Sequence, residues 1–144
     1  MIRVKKVENK EELNKAFAIR EKVFIEEQLC DREEEFDEFD ADSAHFIAYY
    51  NGEPAGTSRY RTTKKGVKLE RFAVYEEYRG KGVGKRLVQM VLADVENNVA
   101  KPGTLIYLHA QLTAMPLYTK YGFVKVGEKF VEAAIEHFEM QKKV

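Results

Sequence analysis

The sequence is poor in the residue types that mark several specialised classes of protein. Its 144 residues include one cysteine, three histidines, three prolines and no tryptophan. Because Cys30 has no second cysteine to pair with, an internal disulfide framework and a cysteine-based zinc site are excluded. No group of histidine, cysteine and carboxylate residues has the spacing of metal ligands, so we expect no metal site.

Net charge and long apolar runs are also missing. The chain balances 24 Lys and Arg against 24 Asp and Glu, whereas nucleic-acid binding relies on accumulated positive charge. No window approaches the ~20 apolar residues of a membrane span, and the charged N-terminus lacks the ~7–15-residue apolar stretch of a signal peptide. We therefore expect neither nucleic acid nor a membrane as a partner, and a cytoplasmic location.

What is present predicts one domain, residues 1–144, of mixed α/β (α+β) class, because this length supports a single hydrophobic core. Asn51-Gly52, between two strand-like segments, predicts a β-hairpin. A strand at 67–75, a glycine-rich turn, an amphipathic helix from Val83 and an apolar strand at 104–111 predict a βαβ unit. The two strands of such a unit are expected to run parallel.

The densest charge cluster is residues 31–42, which hold eight acidic residues and one arginine. We predict a loop or short helix there, outside the core. Its negative charge either attracts cationic molecules or belongs to a solvated loop that keeps the surface polar.

The most informative stretch is Arg79-Gly80-Lys81-Gly82-Val83-Gly84, at the predicted start of a helix. Glycines allow a phosphate to approach the free backbone N–H groups of a helix N-terminus, and Lys85 and Arg86 add positive charge. A P-loop would need Ser or Thr directly after Gly-Lys, and the dinucleotide fingerprint would need its third glycine one position later. The residues alone leave two interpretations, a pyrophosphate site and a tight turn with a solvated basic face.

This stretch resembles the R/Q-x-x-G-x-G/A motif of the GNAT superfamily of N-acetyltransferases. Residues 111–123 resemble the N-x-x-A-x-x-F-Y-x-x-x-G-F segment of the same family, with Gln111 in place of Asn and Leu117 in place of Phe. Glu76 stands where the family commonly has Pro. Residues 20–28, together with a C-terminal segment around Ile135 and His137, are similar to the ElaA-like subgroup of small GNAT proteins.

The resemblance implies the GNAT fold, a mixed and mostly antiparallel sheet with a central parallel strand pair and helices on both faces. It also implies acetyl-coenzyme A as co-substrate, with its pantetheine arm between the strands at 67–75 and 104–111. The cofactor-binding residues that it implies are Phe72, Ala73, Val74, Arg79, Gly80, Lys81, Gly82, Val83, Gly84, Lys85, Gln111 and Tyr118.

Three side chains are candidates for the catalytic proton transfers. Tyr118 matches the general acid of the family, because a phenol with a pKa near ~10 is protonated at neutral pH and can donate to a thiolate. Glu70 is the first candidate base, and strand alternation predicts it on the same face as Phe72 and Val74. An ion pair at the sheet surface is its alternative role. His109, in the partner strand, is the second candidate base.

These observations predict direct acetyl transfer from acetyl-coenzyme A to a primary amine within a ternary complex. Two alternatives stay open, a non-catalytic module that binds acyl-coenzyme A and an enzyme that uses a longer acyl donor. The expected acceptor is a small molecule or a peptide amine, and the resemblance allows a homodimer. If the acidic residues at 31–42 border the acceptor entrance, they favour a cationic amine.

Overall fold

Seven β-strands form one sheet in the computed structural model, which describes residues 1–144. In chain order they are β1 Ile2–Lys6, β2 Ala44–Tyr50, β3 Glu53–Thr62, β4 Val67–Val74, β5 Leu105–Gln111, β6 Val124–Glu132 and β7 Ile135–Lys143. Their order across the sheet is β1-β2-β3-β4-β5-β7-β6. All neighbours pair antiparallel except β4 and β5, which are parallel, so the predicted fold class is confirmed.

Four α-helices connect the strands. They are α1 Lys10–Arg20, α2 Arg32–Glu35, α3 Val83–Asn98 and α4 Met115–Thr119, and α1 continues as a π-helical segment over Glu21–Glu27. The side chain of Asn9 accepts a 2.8 Å hydrogen bond from the backbone N–H of Glu12 and so caps α1. None of the helices combines the length and the apolar character needed to cross a membrane.

The parallel pair β4 and β5 is short. Only three residue pairs join the strands, and the last of them is Leu69 opposite Leu108. Beyond this pair β4 continues to Val74 and β5 to Gln111, but the two strands no longer pair with each other. The middle of the sheet therefore opens at the C-terminal ends of two parallel strands, the position at which α/β sheets commonly bind ligands.

The two faces of the sheet differ in chemistry. On the apolar face, Leu69, Ile106 and Leu108 belong to one buried cluster with Leu87 and Val91 of α3. The ionic face lies opposite, and α1 covers it over β2, β3 and β4. A small apolar cluster packs beneath α1, and most of the remaining ionic face carries charged and polar side chains.

A β-bulge at Arg71 changes which face the following residues of β4 occupy. Arg71 and Phe72 together stand opposite the single residue Ser58 of β3, and Arg71 has a φ of 61°. As a result Phe72 and Val74 pack against the apolar cluster, whereas the Glu70 side chain lies on the ionic face. The prediction that Glu70 shares a face with Phe72 and Val74 is wrong, because the extra residue interrupts the alternation.

Part of the acidic segment 31–42 is buried. Glu35 is 5% exposed and accepts a 2.8 Å hydrogen bond from Nε of Arg20, which is itself 1% exposed. Asp40 accepts from Arg20 at 2.7 Å and from Arg59 at 2.6 Å. The prediction that the whole segment lies outside the core is therefore wrong, since these carboxylates neutralise buried arginines.

Candidate active site

A cleft of about 570 Å³ opens on the ionic face where β4 and β5 stop pairing. Its walls come from the segment after α1, from β4 and β5, and from the turn between β6 and β7. Five of the predicted site residues line it, namely Glu70, Phe72, His109, Gln111 and Tyr118. Ala73, Val74 and the glycine-rich turn lie outside this lining.

The glycine-rich turn begins α3 in the way that the sequence predicts. Gly80 and Gly82 have φ angles of 75° and 91°, which glycine adopts without steric cost. Gly82 is the N-cap and no side chain caps the helix, so the backbone N–H groups of Val83, Gly84 and Lys85 have no partner in α3. Three free amides with the positive end of a 16-residue helix dipole form a site suited to phosphate.

Arg79 fixes this turn to the end of β4. Its Nε donates to the Val74 carbonyl at 3.0 Å, and its Nη2 donates to Glu27 at 2.8 Å. By contrast, Lys85 and Arg86 are exposed and form no ion pair, which leaves their charges available to a ligand. Arg79 thus holds the free amides of the α3 N-terminus next to the end of β4 that no longer pairs with β5. This arrangement fits an extended cofactor with a phosphate at one end.

Tyr118 stands beside the opening between β4 and β5. Its ring packs edge-on against Phe72 and Phe123, with centroid distances of 5.6 and 6.2 Å. The side chain is buried, and this burial raises the pKa of Tyr118. Its hydroxyl makes no hydrogen bond within the protein, so the proton remains available to a group in the cleft.

Gln111 closes the cleft toward the first helical segment. Its Nε2 donates to Oε1 of Gln28 at 3.0 Å, and both residues line the cleft. Phe24, from the same π-helical region, lines the cleft as well. The region after α1 therefore forms one wall of the site.

Glu70 lies at the centre of a group of ion pairs. It is 8% exposed and accepts hydrogen bonds from Arg59 at 3.3 Å and from Arg61 at 2.5 Å. Lys68 lies 3.6 Å and Arg71 3.7 Å from its other oxygen. Burial opposes ionisation of the carboxyl, but the charges of Arg59 and its neighbours outweigh it and lower the pKa of Glu70. Four cations around one carboxylate make it a weak base.

Two histidines and a glutamate occupy the opposite wall. His109 donates from Nδ1 to Glu132 at 3.1 Å, and its Nε2 lies 3.5 Å from Glu139. The hydrogen bond from His109 lowers the pKa of Glu132. His137 contacts the Ile135 carbonyl through Nδ1 at 2.7 Å. Because a carbonyl can only accept, Nδ1 carries the proton and Nε2 holds the lone pair when the ring is neutral.

Sequence reasoning assigned no site role to Arg61, Lys68 or Glu132, all of which line the cleft. Lys68 could have been identified from the alternation of side chains along β4, because Lys68 and Glu70 both precede the bulge and therefore share the ionic face. No sequence signal reveals Glu132, since its position depends on the β6–β7 hairpin folding back beside β5.

Backbone strain concentrates around the cleft. Arg71 and Ala133 have φ angles of 61° and 52° and line it, and Leu29, with a φ of 58°, lies between two lining residues. Non-glycine residues rarely adopt positive φ, and such strain clusters at functional sites. No group of three or more histidine, cysteine or carboxylate side chains is placed to hold a metal ion.

Comparison with known proteins shows the family of the chain. Residues 5–144 match the family model described as "Acetyltransferase (GNAT) domain". The Bacillus subtilis N-acetyltransferase YjcF is 38% identical over 136 residues, which cover 93% of this chain and 94% of YjcF.

Two solved structures share the fold at similar length. The crystal structure of Escherichia coli ElaA has a TM-score of 0.86 at 26% identity and covers 99% of this chain and 100% of ElaA. An acyl-CoA N-acyltransferase from Pseudomonas aeruginosa has a TM-score of 0.83 at 28% identity, with 99% and 98% coverage. The resemblance inferred from the two sequence motifs is confirmed, and the chain belongs to the GNAT family of acetyltransferases.

Proposed function

We propose that the protein transfers an acetyl group from acetyl-coenzyme A directly to the amine of a small-molecule or peptide acceptor, with both substrates bound together. The observation that carries this proposal is the opening between β4 and β5, which has the Tyr118 hydroxyl beside it and the polar cleft on one side. The acyl-CoA N-acyltransferase described for Pseudomonas aeruginosa supports the choice of donor.

The residues that would hold the co-substrate follow from the free backbone groups. The amides of Val83, Gly84 and Lys85 are oriented for a pyrophosphate, with Lys85 adding charge. The backbone of Phe72 to Val74 borders the opening and would lie along the pantetheine arm. The co-substrate supplies an acyl group activated as a thioester. The protein supplies orientation, a proton donor and a proton acceptor.

We assign the general acid to Tyr118. Because burial raises its pKa, the hydroxyl stays protonated throughout the neutral range. The absence of a hydrogen-bond partner within the protein leaves this proton free for the leaving sulfur. The packing of its ring between Phe72 and Phe123 fixes the position of the hydroxyl.

We assign the general base to the histidine wall, and specifically to Nε2 of His137. Glu70, the first candidate from sequence, accepts two arginine hydrogen bonds and has a lowered pKa, both of which weaken it as a base. His109 has a carboxylate at each ring nitrogen, with Glu132 3.1 Å from Nδ1 and Glu139 3.5 Å from Nε2, so neither nitrogen is open to a substrate amine. His137 instead has its Nδ1 proton held by a carbonyl, and its Nε2, 4.0 Å from the nearest oxygen of Glu132, is the accepting atom.

Thiol release across a panel of amines tests the reaction. We expect release from acetyl-coenzyme A that depends on an added amine, and slower release from longer acyl donors. Release that is absent with every amine, despite a thermal shift on adding coenzyme A, would favour a non-catalytic binding module.

Replacing the acid gives the sharpest test of the mechanism. We expect Tyr118→Phe to lower kcat by ~10²-fold or more, because the leaving sulfur loses its proton donor. The thermal shift caused by coenzyme A should persist, since the ring and its packing remain. Tyr121→Phe is the matched control and should retain full activity. Unchanged turnover in Tyr118→Phe would refute the assignment.

The base is tested by the pH dependence of a second variant. We expect His137→Gln to lower kcat/KM by ~10²-fold near neutral pH. The loss should shrink at high pH, where the acceptor amine has already lost its proton. If Glu70→Gln shows this pH-dependent recovery and His137→Gln does not, the base is Glu70.

A further inference from the structure

We infer that the acceptor is a small amine that also carries an oxyanion, a carboxylate or a phosphate, and that Arg61 and Lys68 bind this anionic group. The inference rests on the proposed acetyl transfer and specifies the chemical class of its acceptor. Four observations carry it, namely charge balance, unpaired donors, the opposite charge of the facing wall, and the internal neutralisation of the acidic segment.

The ionic face contains a connected network of ion pairs that is not electrically neutral. Every member lies within 4.0 Å of an opposite charge in the same network. His45 contacts it as well, but burial lowers the pKa of His45 and keeps the ring neutral. The network comprises five cations, Arg20, Arg59, Arg61, Lys68 and Arg71, and four carboxylates, Glu35, Asp37, Asp40 and Glu70. One positive charge is therefore in excess.

The excess charge lies at the cleft. Arg20 and Arg59 are at most 1% exposed and donate to the carboxylates around them. Lys68 is different, because its Nζ is 3.6 Å from the nearest Glu70 oxygen and makes no hydrogen bond. Arg61 donates only through Nε, and its guanidinium stacks 3.9 Å from the ring centroid of Phe39. The ammonium of Lys68 and the terminal nitrogens of Arg61 thus have unused donors.

These unused donors belong to side chains that are mostly withdrawn from water. The side chains of Arg61 and Lys68 are 19% and 16% exposed, and both line the cleft. Withdrawing a charge from water is costly unless hydrogen bonds replace its hydration. A carboxylate or phosphate in the cleft would accept from both side chains, and charge-assisted hydrogen bonds of this kind are the strong ones.

The facing wall has the opposite charge. Glu132 lines the cleft beside His109 and His137, and its lowered pKa keeps it ionised at neutral pH. An ammonium group is favoured near Glu132, and an anion is favoured near Arg61 and Lys68. A molecule with both groups matches the two walls, whereas a polycation would meet repulsion on one side.

The acidic segment does not reverse this balance. Its carboxylates at Glu35, Asp37 and Asp40 are paired with buried arginines, so they contribute no free negative charge to the cleft. Glu34 is the other acidic residue of the segment that lines the cleft, and it is exposed. The structure therefore removes most of the reason to expect a purely cationic acceptor.

The catalytic test compares amines that differ only in the anion. The pairs are an amino acid with its amide, and glucosamine with glucosamine 6-phosphate, which separate the carboxylate and phosphate sources. We expect kcat/KM to be ~10-fold or more higher for the anionic member of at least one pair. Lys68→Gln and Arg61→Gln should remove this preference. The exposed Lys64, in the turn between β3 and β4, offers the control variant Lys64→Gln, which should keep it. Equal or higher kcat/KM for the uncharged members would overturn the inference.

A binding test works even if no amine in the panel reacts. With coenzyme A saturating the protein, inorganic phosphate or acetate is added against chloride of equal ionic strength, and the thermal midpoint is recorded. At tenfold excess over its Kd, a bound anion should raise the midpoint by roughly 3–6 °C. This rise should vanish in Lys68→Gln and persist in Lys64→Gln. No rise in the unmodified protein, or equal rises in all three proteins, would overturn the anion site without bearing on acetyl transfer.

Discussion

The two faces of the sheet are stabilised by different physics. On the apolar face, side chains such as Leu108 and Leu87 exclude water, and each contributes in proportion to the area that it buries. On the ionic face, Arg20 and Arg59 are just as deeply buried, but their stability depends on every partner being present. Apolar packing tolerates gradual change, whereas a buried charge network tolerates little, because one missing partner leaves another charge unpaired.

The two faces of the sheet also differ in their relation to the candidate active site. The apolar face is packed against α3, and it contributes Leu69, Leu108 and Tyr118 to the floor of the cleft. The ionic face ends in a cleft at the place where the network has unused donors, at Arg61 and Lys68. The polar network thus both anchors the acidic segment and creates the charge pattern of the candidate acceptor site.

The largest expected effect comes from breaking the network at its centre. Arg59→Met should lower the free energy of unfolding by about 3–5 kcal/mol, because Asp37, Asp40 and Glu70 all lose a partner. The matched change on the apolar face, Leu87→Ala, should cost about 2–5 kcal/mol by leaving a cavity. Denaturant unfolding measures both.

The dependence on pH distinguishes the two losses. Without Arg59, the pKa values of Asp37, Asp40 and Glu70 should be higher than in the unmodified protein. Protonation of these carboxylates near pH 4 should therefore recover part of the stability lost in Arg59→Met. The loss in Leu87→Ala should not change between pH 7 and pH 4. If both variants show the same pH dependence, the two faces do not differ in the way described.

A smaller effect is expected from one carboxylate of the network. Burial opposes its ionisation, but hydrogen bonds and charge from Arg59, with Arg71, lower the pKa of Asp37 to about 2. Its contribution to stability is therefore complete above its ordinary pKa of ~3.9 and is lost as the pH falls through about 2. Asp37→Asn should cost about 1.5–3 kcal/mol at neutral pH.

The acid titration of this variant supplies the check. The difference in unfolding free energy between the unmodified protein and Asp37→Asn should narrow from pH 5 to pH 2. Burial raises the pKa of Glu35, so this residue changes stability with pH in the opposite direction. Its contribution is the same in both proteins and cancels in the difference. A difference that stays constant over this range would mean that Asp37 is not held by charge.

The smallest expected effect is a gain. Ala134, in the turn between β6 and β7, has a φ of 64° and an exposed side chain. Ala134→Gly should raise the free energy of unfolding by about 0.5–1 kcal/mol, because glycine adopts this conformation without steric cost. The control is Ala55→Gly, at a buried position of β3 without positive φ, which should destabilise the protein. A loss of stability in Ala134→Gly would show that the turn is not strained.

Much of the fold could be predicted because its signals are local. Asn51 and Gly52 have φ angles of 49° and 87°, as a two-residue hairpin turn requires, and these residue types favour such angles. The glycine-rich turn before α3 and the apolar spacing within α3 likewise depend on neighbours in sequence. The residues of the family motif are also neighbours in sequence, so the family could be identified from them.

The acceptor side of the site resisted prediction because its contacts are distant in sequence. Glu70 and Phe72 lie on opposite faces of the sheet because of a β-bulge between them, and no residue pattern in the sequence indicates this bulge. Glu132 and His137 reached the cleft only because β7 lies between β5 and β6. The acidic residues of 31–42 could be recognised in the sequence, but their ion pairs with Arg20 and Arg59 could not be predicted from it.

The single cysteine excluded an internal disulfide and a cysteine-based zinc site from the sequence alone, because these need more than one cysteine, and the zero net charge argued against broad polyanion binding. The sequence likewise determined the conformation of the glycine-rich turn before α3, because glycines at a helix start act through their own backbone. Only the tertiary structure decided where the balanced charges meet. Coulomb energy depends on distance and burial, and folding brings five cations and four carboxylates together on one face of the sheet.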